Sequence, residues 1–116
     1  MADLTLENFD SIISELPSQL KILYFETLAH NLTIAGRGVW SNEKFTCDQK
    51  VNGMKWLNEI MHRVLNKLID ERRNICSFSE NDFINIVIQH VKQCPEIQGD
   101  IAWAFKDSYK TINKNR

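Results

Sequence analysis

Turn-forming residues are scarce in this chain: its 116 residues hold four glycines and two prolines. That is too few for the closely spaced turns of an all-β fold or for a linker-rich segment. No window alternates apolar and polar residues as a half-buried strand would. Cysteine is sparse too, and Cys47, Cys76 and Cys94 are odd in number, widely spaced and without a C-x-x-C pair. This pattern excludes a disulfide framework and fits a reducing compartment. No apolar run nears the roughly 18–20 residues of a membrane span. The first residues, MADLTLENFDS, are acidic and unlike a secretory leader. A strong charge of one sign is also missing, since the formal net charge is −1. Nucleic acid is therefore disfavoured as a partner, because it calls for a concentrated basic patch. The one local excess, Lys106, Lys110, Lys114 and Arg116 against Asp107, reads as a solvated chain end. The expectation is a soluble cytoplasmic domain spanning residues 1–116, with no membrane association.

Familiar chemical signatures are absent as well. There is no Gly-rich phosphate loop and no G-x-S-x-G elbow. Arg63, Arg72 and Arg73 lack the downstream histidine that an R-x4–6-H ribonuclease signature needs. The sequon Asn31-Leu32-Thr33 falls in a helix of a cytosolic chain, where it is not glycosylated.

What remains is helical periodicity almost throughout. Helix 1 is expected from Leu6 to Leu16, capped by Thr5 or Asp3, with Phe9, Ile12, Ile13 and Leu16 inward. Pro17 ends it and opens helix 2, because proline is tolerated only in a first turn. Helix 2 is expected to stop near Ala35, where Gly36 and Gly38 provide a terminus. RGVWSNEKF then forms a loop carrying Trp40. Thr46 and Gln49 have the form of a capping box, opening a long helix 3 to about Arg72 that buries Val51, Met54, Leu57, Met61, Val64, Leu65 and Leu68. Ser79 with Asp82, or Ser77 with Glu80, caps helix 4, whose inward residues are Phe83, Val87, Val91 and Cys94. Pro95 breaks it, and helix 5 runs from about Glu96 on Ile97, Ile101, Phe105, Tyr109 and Ile112. Short connections make neighbours antiparallel. The expected fold is an all-α, single-domain bundle of four to five helices with a helix 2–helix 3 hairpin at its centre.

Helix 2 is apolar around most of its circumference, leaving one polar line: Gln19, Glu26, His30, Thr33 and Arg37. Glu26 and His30 sit one turn apart, so the carboxylate can pair with the imidazolium. On helix 3, Glu59-x-x-His62 has a spacing used by di-iron bundles, and a helix 2–3 hairpin would set Glu26 level with residues 57–59. Such a site needs two of these motifs and further carboxylates, which the chain lacks. Glu59 also faces away from the core stripe and is placed to pair with Arg63. Glu26, His30 and His62 are thus the candidates for an alternative reading as a metal-dependent or hydrolytic enzyme; the preferred reading, given below, expects no metal or other cofactor. His90 reads as a hydrogen-bonded histidine at the core edge.

The tryptophans carry the preferred reading. Trp103 lies opposite the apolar stripe of helix 5, among Lys106, Asp107 and Lys110, and Trp56 lies off the helix 3 stripe near Arg63. Tryptophan and arginine are enriched at interface hot spots. The expected function is protein–protein binding, as a regulatory, inhibitory or toxin-neutralising immunity-type module. The partner is another protein or a second copy in a homodimer, contacted through Trp56, Arg63, Trp103, Lys106 and Lys110.

Overall fold

Side-chain caps set where the helices begin. In the computed structural model, which describes residues 3–75 and 79–114, Thr46 and Gln49 form the expected capping box. The Thr46 hydroxyl accepts from the Gln49 amide at 3.1 Å, and the Gln49 side chain accepts from the Thr46 amide at 2.9 Å. They open α3, Cys47–Arg72. Ser79 accepts from the Asp82 amide at 3.1 Å and opens α4, Glu80–Gln93; the other expected cap, Ser77, lies outside the described residues. Pro17, extended at ψ 153°, starts α2, Ser18–Trp40. A 3-10 turn, Pro95–Ile97, delays α5, which spans Gln98–Lys114. Beyond α3, Asn74 takes the left-handed conformation (φ 56°), and the Ile75 amide donates to the Asp70 carbonyl at 2.8 Å. Asn tolerates this conformation, so it closes the helix as glycine usually does.

α1 is only Phe9–Ile13, shorter at both ends than the periodicity implies. At its start Thr5 and Asn8 exchange side-chain and backbone hydrogen bonds of 2.7 and 3.2 Å, which holds the chain in a turn. At its end Pro17 disfavours helical geometry in the residue before it. Phe9, Ile13 and Leu16 are still buried as expected, while Ile12 is half-buried.

α2 differs more. It does not stop at Ala35 but continues five residues to Trp40, so Gly36, Arg37 and Gly38 are helical and Trp40 is in the last turn instead of a loop. The reason is tertiary. Gly36 is where α3 crosses closely: a Cβ there would sit 3.4 Å from Met54 Cε and 3.6 Å from Leu57 Cδ2. Packing of this kind outweighs the roughly 1 kcal/mol cost of each helical glycine.

The bundle forms around α2, which packs on α3 along one side and on α5 along another; α3 also packs on α4, and α4 on α1. The helix 2–helix 3 hairpin is present, with its turn at residues 41–46. α3 is rotated relative to expectation: Gly53, Leu57, Ile60, Val64, Lys67 and Leu68 face inward. Val51 and Leu65 are exposed, and Met54 and Met61 lie at the edge. α4 buries Phe83, Ile84, Val87 and Val91, with Cys94 just beyond; α5 buries Ile101, Phe105 and Ile112 as expected, together with Ala104 and Ser108. Tyr109 is half-buried. Cys94 and Cys47 are free thiols, buried and exposed respectively; Cys76 lies outside the described residues.

Polar contacts between helices are few and specific. Asn31 is buried and donates to Ser108 Oγ at 3.0 Å and Asp107 Oδ2 at 3.3 Å, and the Tyr24 hydroxyl donates to the Phe105 carbonyl at 3.1 Å. Asn31, part of the sequon, is thus a core hydrogen-bonding group. Glu80 is also buried and meets Lys21 at 3.0 Å and Lys67 at 3.6 Å. Burial opposes its charge, but the hydrogen bond from Lys21 and the two lysine charges hold its carboxyl below the usual glutamate range. The folded form therefore binds its proton less readily than the unfolded chain. This stabilisation is fully present above the ordinary glutamate pKa and is lost as pH falls through the lowered one. Glu80→Gln is expected to lower the unfolding free energy at pH 7 by about 2 kcal/mol, between the values for exposed and buried pairs. Urea unfolding at pH 7 and at about pH 3 should show the gap from wild type closing in acid; an equal gap at both would mean the ion pairs contribute nothing.

Candidate interaction surface

The polar line of α2 faces solvent. Glu26, His30, Thr33 and Arg37 are all exposed. Glu26 does not pair with His30; its Oε2 lies 3.0 Å from Arg72 Nη2 of α3, with both side chains about half exposed. The expected register with residues 57–59 is therefore corrected. α2 runs on to Trp40, which moves the turn, and the two helices are further offset along their length, so Gly36 lies against Leu57 and Glu26 meets Arg72. Glu59 and His62 are exposed too. Among the described residues, no group of three or more His, Cys, Asp or Glu side chains is placed to hold a metal ion.

Between α2 and α3 runs an open groove of about 410 Å³. Leu32, Gly36 and Leu57 form its floor, Thr33, Arg37 and Trp40 one wall, and Met54, Asn58 and Met61 the other. The same two helices expose large apolar side chains, Leu23, Ile34 and Trp40 on α2 and Val51, Leu65 and Ile69 on α3, of which Trp40 lines the groove. Trp40 is the most open of the α2 set at 58 % exposure. Methionine walls suit such a groove, since the unbranched thioether side chain adapts to varied shapes.

The expected contact residues separate into two places. Trp56 is half-buried on the α3–α4 flank, its ring 5.3 Å from that of His90 and beneath Lys55 Nζ at 5.1 Å. His90 is an edge histidine as expected, but its buried Nε2 makes no hydrogen bond. Burial pushes its pKa down, the Arg63 charge adds to this, and Glu59 opposes it. Trp56, Arg63, Glu59 and His90 thus belong to one seam between two helices.

Trp103 is on the opposite side of the bundle. It is 42 % exposed and lines a separate groove of about 420 Å³ between α5 and the segment Leu4–Glu7. Lys106 lines it too and binds Asp3 at 3.2 Å, which holds that carboxyl below its usual range. Lys110 is exposed one turn beyond, and Arg116 lies outside the described residues.

The residues that periodicity missed are Leu23, Ile34, Leu65 and Ile69, which apolar character alone assigns to the core. For Leu23 and Ile34 the signal was available in the polar line of α2, whose exposed arc they border; Leu65 and Ile69 lie on α3, where no such line marks them. No helix among the described residues is long and apolar enough to cross a membrane. Comparison with known proteins finds no match, whether to a family model, a curated protein or a solved structure.

Proposed function

We propose that this chain is a cytoplasmic, non-enzymatic interaction module that regulates or neutralises its target by binding protein. The observation supporting this is the set of large apolar side chains exposed on the outer surfaces of α2 and α3. Singly exposed apolar residues are ordinary, but six along two adjacent helices, with Trp40 lining the groove between them, support a contact surface. Trp103, with Lys106 and Lys110, is the second contact region. Catalysis by Glu26, His30 and His62 draws less support, since Glu26 is engaged by Arg72 and not by either histidine.

The test compares capture of cellular protein by tagged wild-type, Trp40→Ala and Trp103→Ala chains. Both tryptophans are partly exposed, so each variant should keep its helicity and lose less than about 1 kcal/mol of stability. Capture by at least one variant should drop about tenfold, as for a hot-spot residue. Equal capture by all three would remove the reading. A Trp103→Ala midpoint lower by more than about 10 °C would make that residue core.

A further inference from the structure

We propose that two copies of this chain pair through the outer face of α2, antiparallel, about a two-fold axis level with the midpoint of Asn31 and Leu32. This rests on the protein-contact reading and names the partner as a second copy.

The observation is the order of residues along one line of the exposed arc, Leu23, Glu26, His30, Thr33, Arg37, Trp40, with the exposed Ile34 and Gly38 to its side. Successive gaps alternate between three and four residues, the spacing of a seam between two helices packed side by side. The arc is also complementary to itself when reversed. An axis between residues 31 and 32 sets Glu26 against Arg37 of the second copy, and Arg37 against Glu26. Each lies about 8 Å along the helix from that axis. His30 falls opposite Thr33, whose hydroxyl donates to the Ala29 carbonyl at 3.1 Å and keeps its lone pairs for an imidazole N–H. Leu23 falls opposite Trp40 at each end. An unrelated partner would require none of this symmetry, whereas an isologous pair requires all of it.

The intrachain contact of Glu26 does not prevent the pairing. Arg72 meets only Oε2, and a carboxylate can accept a second guanidinium on its other oxygen. From Leu23 to Trp40 the helix is about 26 Å long. With α3 alongside at 8–10 Å, the face is roughly 20 Å wide and about 500 Å² in area. Two such faces give about 1,000 Å², the lower end for a specific contact. A micromolar, reversible dimer is the expected strength, with Met61 and Leu65 of α3 closing the flank.

The experiment is sedimentation equilibrium of the whole chain from about 1 to 200 µM. The expected result is reversible passage from 13.6 kDa to twice that mass. Arg37→Glu and Glu26→Arg should each remain folded by circular dichroism and dimerise at least about tenfold more weakly, because each places like charges together at two points. Mixing the two variants in equal amounts should restore the dimer, since both contacts of the mixed pair then join Glu to Arg. Recovery on mixing could not come from a misfolded variant. A wild type that stays monomeric overturns the pairing; the tryptophan capture experiment then still tests binding to a different protein. Variants that dimerise as wild type, or a mixture that does not recover, overturn this face and register.

Discussion

Phe9→Ala is expected to lower the unfolding free energy by about 4 kcal/mol, the usual range for removing a fully buried aromatic ring. The thermal midpoint should fall by roughly 15 °C. Phe9 is 0 % exposed and lies among four other rings: Tyr24 at 5.9 Å, Phe25 at 6.4 Å, Phe83 at 5.5 Å and Phe105 at 5.7 Å between centroids. Those rings come from α2, α4 and α5, so this one side chain of the shortest helix joins three others. A five-residue helix cannot persist alone; α1 exists because Phe9 and Ile13 are buried, and its loss would free the segment before Pro17. Phe9→Leu keeps most of the volume and should recover more than half of the deficit. Denaturant unfolding of both variants measures this, and a cost below about 2 kcal/mol for Phe9→Ala would make α1 a peripheral cover.

Gly53→Leu carries the second large effect, about 3 kcal/mol of destabilisation. Gly53 is buried on α3, where a Cβ would come within 3.0 Å of Ile97 Cγ2 and 3.1 Å of Val39 Cγ1. The position is a three-way contact among α2, α3 and the turn before α5. A leucine there must push those elements apart, while replacing glycine returns only about 1 kcal/mol of helix propensity. Gly53→Ala separates the two terms: its contacts are tight but the propensity gain nearly offsets them, so its stability should lie within about 1 kcal/mol of wild type. A leucine variant as stable as wild type in urea would mean that α3 approaches α2 less closely than described.

These two residues illustrate what the sequence makes legible. Phe9 is readable because it sits at helical spacing from Ile12, Ile13 and Leu16 in a segment bounded by Thr5 and Pro17. The caps at Thr46 and Ser79 and the apolar stripes of α4 and α5 are legible for the same reason: their causes are local. Gly53 is not readable in this way. Glycine carries no apolar signal, so a search for hydrophobic spacing counts Val51 and Leu65 among the inward residues of α3 and overlooks Ile60. Gly36 and Gly38 mislead in the other direction, since their local preference for ending a helix yields to α3 packed against Gly36. That five-residue extension moved the hairpin turn, and with a further offset of the two helices along their length Glu26 meets Arg72 and not Glu59. At the surface, the polar line of α2 was legible as a line, but its pairing with Arg72 depends on a register that only the packed helices define.

The hydrogen bonds between α2 and α5 have a consequence for how the chain is made. Tyr24 with Phe105 and Asn31 with Ser108 join residues 81 and 77 positions apart. During synthesis, α2 and α3 leave the ribosome well before the helix that completes their partner set. Until then the side of α2 bearing Tyr24, Leu28, Asn31 and Ala35 is uncovered, an apolar strip with one amide bonded to water. Contacts so distant in sequence slow closure, and exposed apolar strips of this kind attract chaperones or neighbouring nascent chains. Translation arrested before residue 104 should therefore leave a nascent chain that is helical, sensitive to protease and retained by chaperones, and release of α5 should convert it in one step to the protected form.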